Sequence, residues 1–209
     1  MARNMEFASR ISFPNASLVT DRFHVVKLVL EALQHLRINY RWEVIGNENE
    51  ELKKARANGT KYSPEVFANG DTLKQLLTRG RYLLFKRDSD WTSSHQQRAD
   101  ILFMIYPLLK TAYGLATQFR NIYENHNIDN AKKQFKDWIN DNNNSNIKEF
   151  NTAAKSIEFH LETNLNFFND RNTNANAESF NSKIKLFRAK QKAVRDITFF
   201  LFRLQKLFA

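Results

Sequence analysis

At 209 residues the chain is long enough for one domain or two small ones with a buried core, and 42% hydrophobic residues with 18 Phe against 5 Gly and 3 Pro disfavour both disorder and a β-sandwich. The absence of Cys excludes disulfides, thiolate metal sites and cysteine nucleophiles, and no apolar run approaches the roughly 20 residues that span a bilayer. A net charge of +10 implies a polyanionic partner, of which nucleic acid is the commonest, and excludes nothing else about the chemistry.

In chain order, residues 2–12 read as a short helix that Phe13-Pro14-Asn15 breaks, and residues 16–20 read as a short buried strand. A long helix follows. Thr20 or Asp21 is a suitable N-cap, and Phe23, Val26, Leu28 or Val29, Leu33 and Leu36 recur at helical spacing. It can run past Trp42 to a stop at Asn58-Gly59. Residues 58–70 are loop-like, Asp71-Thr72 opens another helix, and from there the pattern is almost wholly helical over 97–107, 107–124, 130–138 and 147–165. The asparagine-rich run 140–146 reads as a connector, and Trp42, Trp91 and Trp138 read as packing anchors.

The last stretch, 179–209, holds eight basic side chains (Lys183, Lys185, Arg188, Lys190, Lys192, Arg195, Arg203 and Lys206) against the single acid Asp196. Most of the excess charge therefore lies in this tail. Six phenylalanines accompany it, from Phe180 to Phe208, as anchors for the charges on a folded body. Duplex DNA contact is expected from Lys183, Lys185, Arg188, Lys190 and Lys192.

Two constellations can carry chemistry. In Asp21-Arg22-Phe23-His24, side chains three apart share a helix face, so Asp21 and His24 can converge on a ligand beside a strand end. Spacing alone equally allows Asp21 to be a cap and His24 a buried imidazole. In residues 174–185, Glu178, Asn181 and Lys185 share a face next to the apolar stripe Phe180, Ile184 and Phe187, an arrangement able to hold a divalent cation and its phosphates. The helix dipole alone would also favour a Glu there. His35, His95, His126 and His160 lack zinc spacing, and no Gly-rich phosphate loop or serine elbow is present.

The segments Asn4-Met5, Phe13-Pro14-Asn15-Ala16 and Val19-Thr20-Asp21-Arg22-Phe23-His24-Val25-Val26-Lys27 resemble the core of the DDE transposases of bacterial insertion sequences, in the subgroup with a helical insertion. Residues 177–185 are similar to that family's segment around its final catalytic Glu, and residues 194–204 to its closing helix. The resemblance implies a mostly α chain: part of an RNase H-like α/β core with its early strands missing, interrupted by a large all-helical insertion. The implied division is 1–40 core (short helix, strand, helix), 41–165 insertion, and 166–209 the returning catalytic helix with a basic C-terminal helix.

The same resemblance implies metal-dependent DNA cleavage and strand transfer by carboxylates that hold two Mg²⁺ ions. Glu178 matches the family's Glu, and Asp21 is either its second catalytic Asp and a metal ligand or, with His24, a supporting Asp-x-x-His motif. The implied partners are the ends of an insertion element and target duplex DNA, with no membrane, assembly of several copies left open, and a bacterial cytoplasmic, nucleoid-associated location. The chain is expected to be a truncated C-terminal portion, inactive alone. A non-catalytic, basic, helical nucleic-acid-binding protein is the alternative.

Overall fold

The computed structural model describes residue 7 and residues 10–171, 175–190 and 196–208, the side chains of 175–177 and 208 excepted. These divide into two compact units, 1–170 and 171–209. Among the described residues the structure is helical, with one isolated antiparallel bridge between Val66 and Thr72 and no strand.

The first unit is organised around α1, Arg22–Ala57, the longest helix. Asp21 caps it, its carboxylate accepting from the Phe23 N–H at 2.6 Å. Asn58 ends it and Gly59 follows at φ 63°, a left-handed conformation that costs glycine little. Val25, Val29, Ala32, Leu33, Leu36 and Val44 are buried, whereas Phe23 is exposed. The buried stripe thus starts at Val25 rather than Phe23, with Val26 only partly buried, while Val29, Leu33 and Leu36 are buried as predicted.

Around α1 stand α2 (Leu73–Phe85), α3 (Ser93–Ile105), α4 (Pro107–Ile122), α5 (Ile128–Ser145) and α6 (Lys148–Phe159), followed by the short α7 (Leu161–Leu165) and α8 (Phe167–Asp170). Helices α2, α4 and α6 pack directly on α1, and α5 packs on α4 and α6. Thr72 with Gln75 and Thr92 with His95 each form a reciprocal capping box at the start of α2 and α3, and Pro107 opens α4 where its missing N–H has no helical partner to lose. Buried Asp71 accepts from Arg98 Nε at 2.7 Å and from Arg79, tying the entry of α2 to α3. The core ends in a ring of aromatics, Phe119, Tyr123, Phe135, Trp138, Phe167 and Phe168, in which the Trp138 indole N–H donates to the Leu115 carbonyl at 2.8 Å.

Three expectations need correction. Residues 16–20 are extended but join no ladder, because helix ends occupy their polar groups: the Thr20 N–H donates to the Thr163 carbonyl at 2.9 Å, and Asn166 Nδ2 donates to the Leu18 carbonyl at 2.9 Å. The asparagine run is not a connector, since α5 continues to Ser145 and only Asn146 turns, at φ 54°. Asn142 falls on the buried stripe of Phe135, Trp138 and Ile139, and packing of that stripe outweighs the weak helix preference of Asn. Trp138 is a packing anchor and Trp91 partly one, but Trp42 is exposed. Of the expected helix at 2–12, Phe7 and residues 10–12 are helical and the remaining positions lie outside the described residues or, for 2–6, before them.

The second unit consists of α9 (Ala175–Lys190) and α10 (Ile197–Phe208). The rings of Phe187 and Phe200 meet at 5.7 Å, and Arg203 lies over Phe187 at 5.6 Å and over Phe199 at 6.0 Å. Phe180, Phe199 and Phe202 remain exposed, so within this unit they are not the buried anchors expected of them. No helix among the described residues is long and apolar enough to cross a membrane.

Candidate nucleic-acid and catalytic residues

The two sequence constellations fall in different units, Asp21 and His24 in the first and Glu178 in the second. Each has its own local logic.

Asp21 stands where the extended segment 16–20 meets α1. That segment is fixed by partners 143 positions away: besides the backbone bond, the Thr20 and Thr163 hydroxyls lie 2.7 Å apart. Arg22 lies over the Phe167 ring at 6.0 Å, and the phenol of Tyr123 is raised far above its usual range first by burial and then by the Asp21 carboxylate. The carboxylate is held in a defined place and spends one oxygen on the cap. His24 is exposed rather than buried; its ring packs edge-on against Phe23 and lines a small cavity of about 80 Å³ with Thr20, Ser156, His160 and Asn164. Asn164 is buried, and its Oδ1 has no hydrogen-bond partner among the described residues.

Sequence reasoning missed Thr163, Asn164, Asn166 and His160. The helical pattern over 147–165 covers His160, Thr163 and Asn164 and stops short of Asn166, and it says nothing about which helix end receives the segment before α1.

Glu178 occupies the first turn of α9 with an exposed side chain, and Ser182 Oγ donates to its carbonyl at 2.8 Å. An acidic side chain there is favoured by the positive end of the helix dipole. Lys183, Lys185, Arg188 and Lys190 follow on the same helix, all exposed. At 3.6 residues per turn, Lys185 and Arg188 share the side of Glu178 and Asn181, whereas Lys183 and Lys190 lie across the Phe180, Ile184 and Phe187 stripe. The positive charges therefore flank the apolar stripe on both sides. Lys192 and Arg195 lie outside the described residues.

A pair of divalent ions needs several carboxylates within coordination distance of one point. Among the described residues no three His, Asp or Glu side chains gather in that way, and Asp21 already uses an oxygen as a cap. The described donor set does not by itself fit a two-ion site.

No curated protein and no solved structure matches this chain. A family model described as transposase, of the DDE type in its ISL3 group, matches residues 1–204, which takes in both constellations and nearly all of both units. The chain belongs to the DDE transposase family of the ISL3 group.

Proposed function

We propose that the chain serves transposition by presenting Glu178 as a catalytic carboxylate at the head of a DNA-binding helix, with the first unit as the helical body that fixes Asp21 and His24. In this reading the parent reaction is metal-dependent DNA cleavage and strand transfer, residues 41–165 are the helical insertion of an RNase H-like catalytic domain, and Glu178 contributes one ligand to the ions. The observation that carries it is the arrangement on α9: one exposed carboxylate in the first turn, followed within about 18 Å by four exposed cations. Backbone phosphates held along Lys185 and Arg188 would bring a strand to the carboxylate, because those cations share its side of the helix. Phosphate contacts fix position and carry no sequence information, so the helix serves the element's ends and the target DNA alike. Asp21 fits the supporting role better than the ligand role, since its cap bond at 2.6 Å already engages one of its two oxygens.

Transposition of the element by the transposase that carries this sequence tests the reading. Glu178→Gln abolishes strand cleavage and transfer while changing duplex affinity less than about twofold, because it alters a donor and no cation. The quadruple change of Lys183, Lys185, Arg188 and Lys190 to Ala weakens binding on every duplex and lowers the salt dependence of log affinity by about 3–4, roughly 0.9 for each lost phosphate contact. The isolated 209-residue chain shows no cleavage with Mg²⁺ or Mn²⁺, as its described donors do not make a two-ion site. Unchanged transposition in Glu178→Gln would instead make the chain a non-catalytic nucleic-acid-binding protein.

A further inference from the structure

Among its described residues the first unit holds a buried charge with no acidic partner. Arg37, on α1, is only 6% exposed. Buried guanidinium groups are ordinarily paired with carboxylates, because desolvating a lone charge is costly. Here Nε donates to Gln34 Oε1 at 2.7 Å and Nη1 to the Leu77 carbonyl at 2.7 Å, both neutral, and Nη2 has no acceptor among the described residues. Gly80 lies beside this site: a Cβ there would crowd Leu102 Cδ1 at 3.0 Å and only touch Arg37 Cδ, at 3.8 Å.

The charged groups that bear on Arg37 make matters worse rather than better. They are Arg41, one turn on along α1, and Arg81, on α2; burial first and then these two cations push the Arg37 guanidinium down to about 10, still a cation at neutral pH. Arg41 Nε donates to Thr78 Oγ1 at 3.0 Å, and Arg81 lies over the Tyr82 ring at 5.7 Å. None of the three forms an ion pair among the described residues.

We propose that Arg37, Arg41 and Arg81 form a phosphate-binding seam between α1 and α2 that takes the backbone of duplex DNA, separately from the cations of α9. Only the choice of DNA as the polyanion rests on the family; the seam rests on its own geometry. A bound phosphate supplies the negative charge that Arg37 lacks, and guanidinium groups, weakly hydrated and fork-shaped, suit that contact. Arg81 is exposed and Arg41 half-buried, so the seam is an open surface, suited to a continuous polyanion rather than to an enclosed small molecule.

The test measures binding of the full chain to a short labelled duplex of arbitrary sequence across a salt series. Arg41→Gln with Arg81→Gln is expected to weaken binding about tenfold and to lower the salt dependence by about two, and to do so equally when the four α9 cations are already Ala. Arg41→Lys with Arg81→Lys keeps the salt dependence, which shows that charge rather than folding is being read. Arg37→Met lowers it by about one, and the duplex then raises the melting temperature less than in the parent chain. Unchanged affinity and salt dependence in the Gln pair would overturn the seam and leave the α9 reading standing. Loss in the Gln pair with none in the α9 variant would do the reverse.

Discussion

Helices α4 and α10 carry comparable amphipathic patterns, yet their apolar residues meet opposite fates. In α4, Leu109, Ala112, Phe119 and Ile122 are fully buried against α1 and α5, whereas in α10 Ile197, Phe199, Leu201, Phe202 and Leu207 remain exposed. Amphipathicity expresses a need for a partner surface and does not supply one. Unit one has six long helices to exchange such surfaces; unit two has two, and a piece of that size cannot enclose a core.

The largest effect should come from cutting into the buried side of this contrast. Trp138→Ala removes a fully buried ring and its bond to the Leu115 carbonyl, and should cost about 3–5 kcal/mol in chemical denaturation. Leu201→Ala should cost less than about 0.5 kcal/mol, as expected of an exposed position. A loss above about 2 kcal/mol for Leu201→Ala would mean that α10 is covered in solution, and the contrast would fail.

Polar burial sharpens the same comparison. Asp71 is buried in the first unit with Arg98 and Arg79 as partners, and Asp71→Ala leaves the Arg98 charge largely desolvated. A loss of about 3 kcal/mol is expected, at the low end for a broken buried pair because Arg79 reaches solvent. In the second unit, Glu178→Ala should leave the melting curve nearly unchanged, since its side chain is exposed. Equal losses for the two would show that exposure does not separate the units.

The smallest effect depends on pH. The His95 imidazole accepts from the Thr92 N–H in the capping box of α3, which needs the neutral ring, and its pKa is held below the ordinary value by burial first and then by Lys86 and Arg98. The unfolded chain therefore takes up the proton first. The contribution is fully present above the ordinary histidine range and is lost as pH falls through it toward the lowered folded value. His95→Gln keeps an acceptor at the third position of the box and should flatten the acid side of the stability curve by a few tenths of a kcal/mol. A curve identical to that of the parent chain would remove His95 from the pH response.

Legibility followed the range of the physics involved. Helix ends governed by local groups were readable: the Asp21 cap, the Asn58-Gly59 stop, the Thr72 start and the Pro107 opening all lie where residue chemistry puts them. The order of Asp21-x-x-His24 and Glu178, with a long helical stretch between, was also readable, and it was enough to indicate the family that residues 1–204 match. The asparagine run misled because Asn142 is held helical by what lies beneath it, not by its own preference.

The sequence by itself determined the helical class, the local caps, the basic character of α9 and the transposase family, because each depends on residues within a few positions of one another or on a linear pattern. Only the tertiary structure decided that residues 16–20 bond to helix ends instead of a sheet, that Thr163 and Asn166 hold the segment before Asp21, and that Arg37 is buried between two further arginines. Those outcomes join positions 40 to 148 apart along the chain, and no local propensity encodes which distant polar group will face a given backbone N–H or guanidinium once the helices have packed.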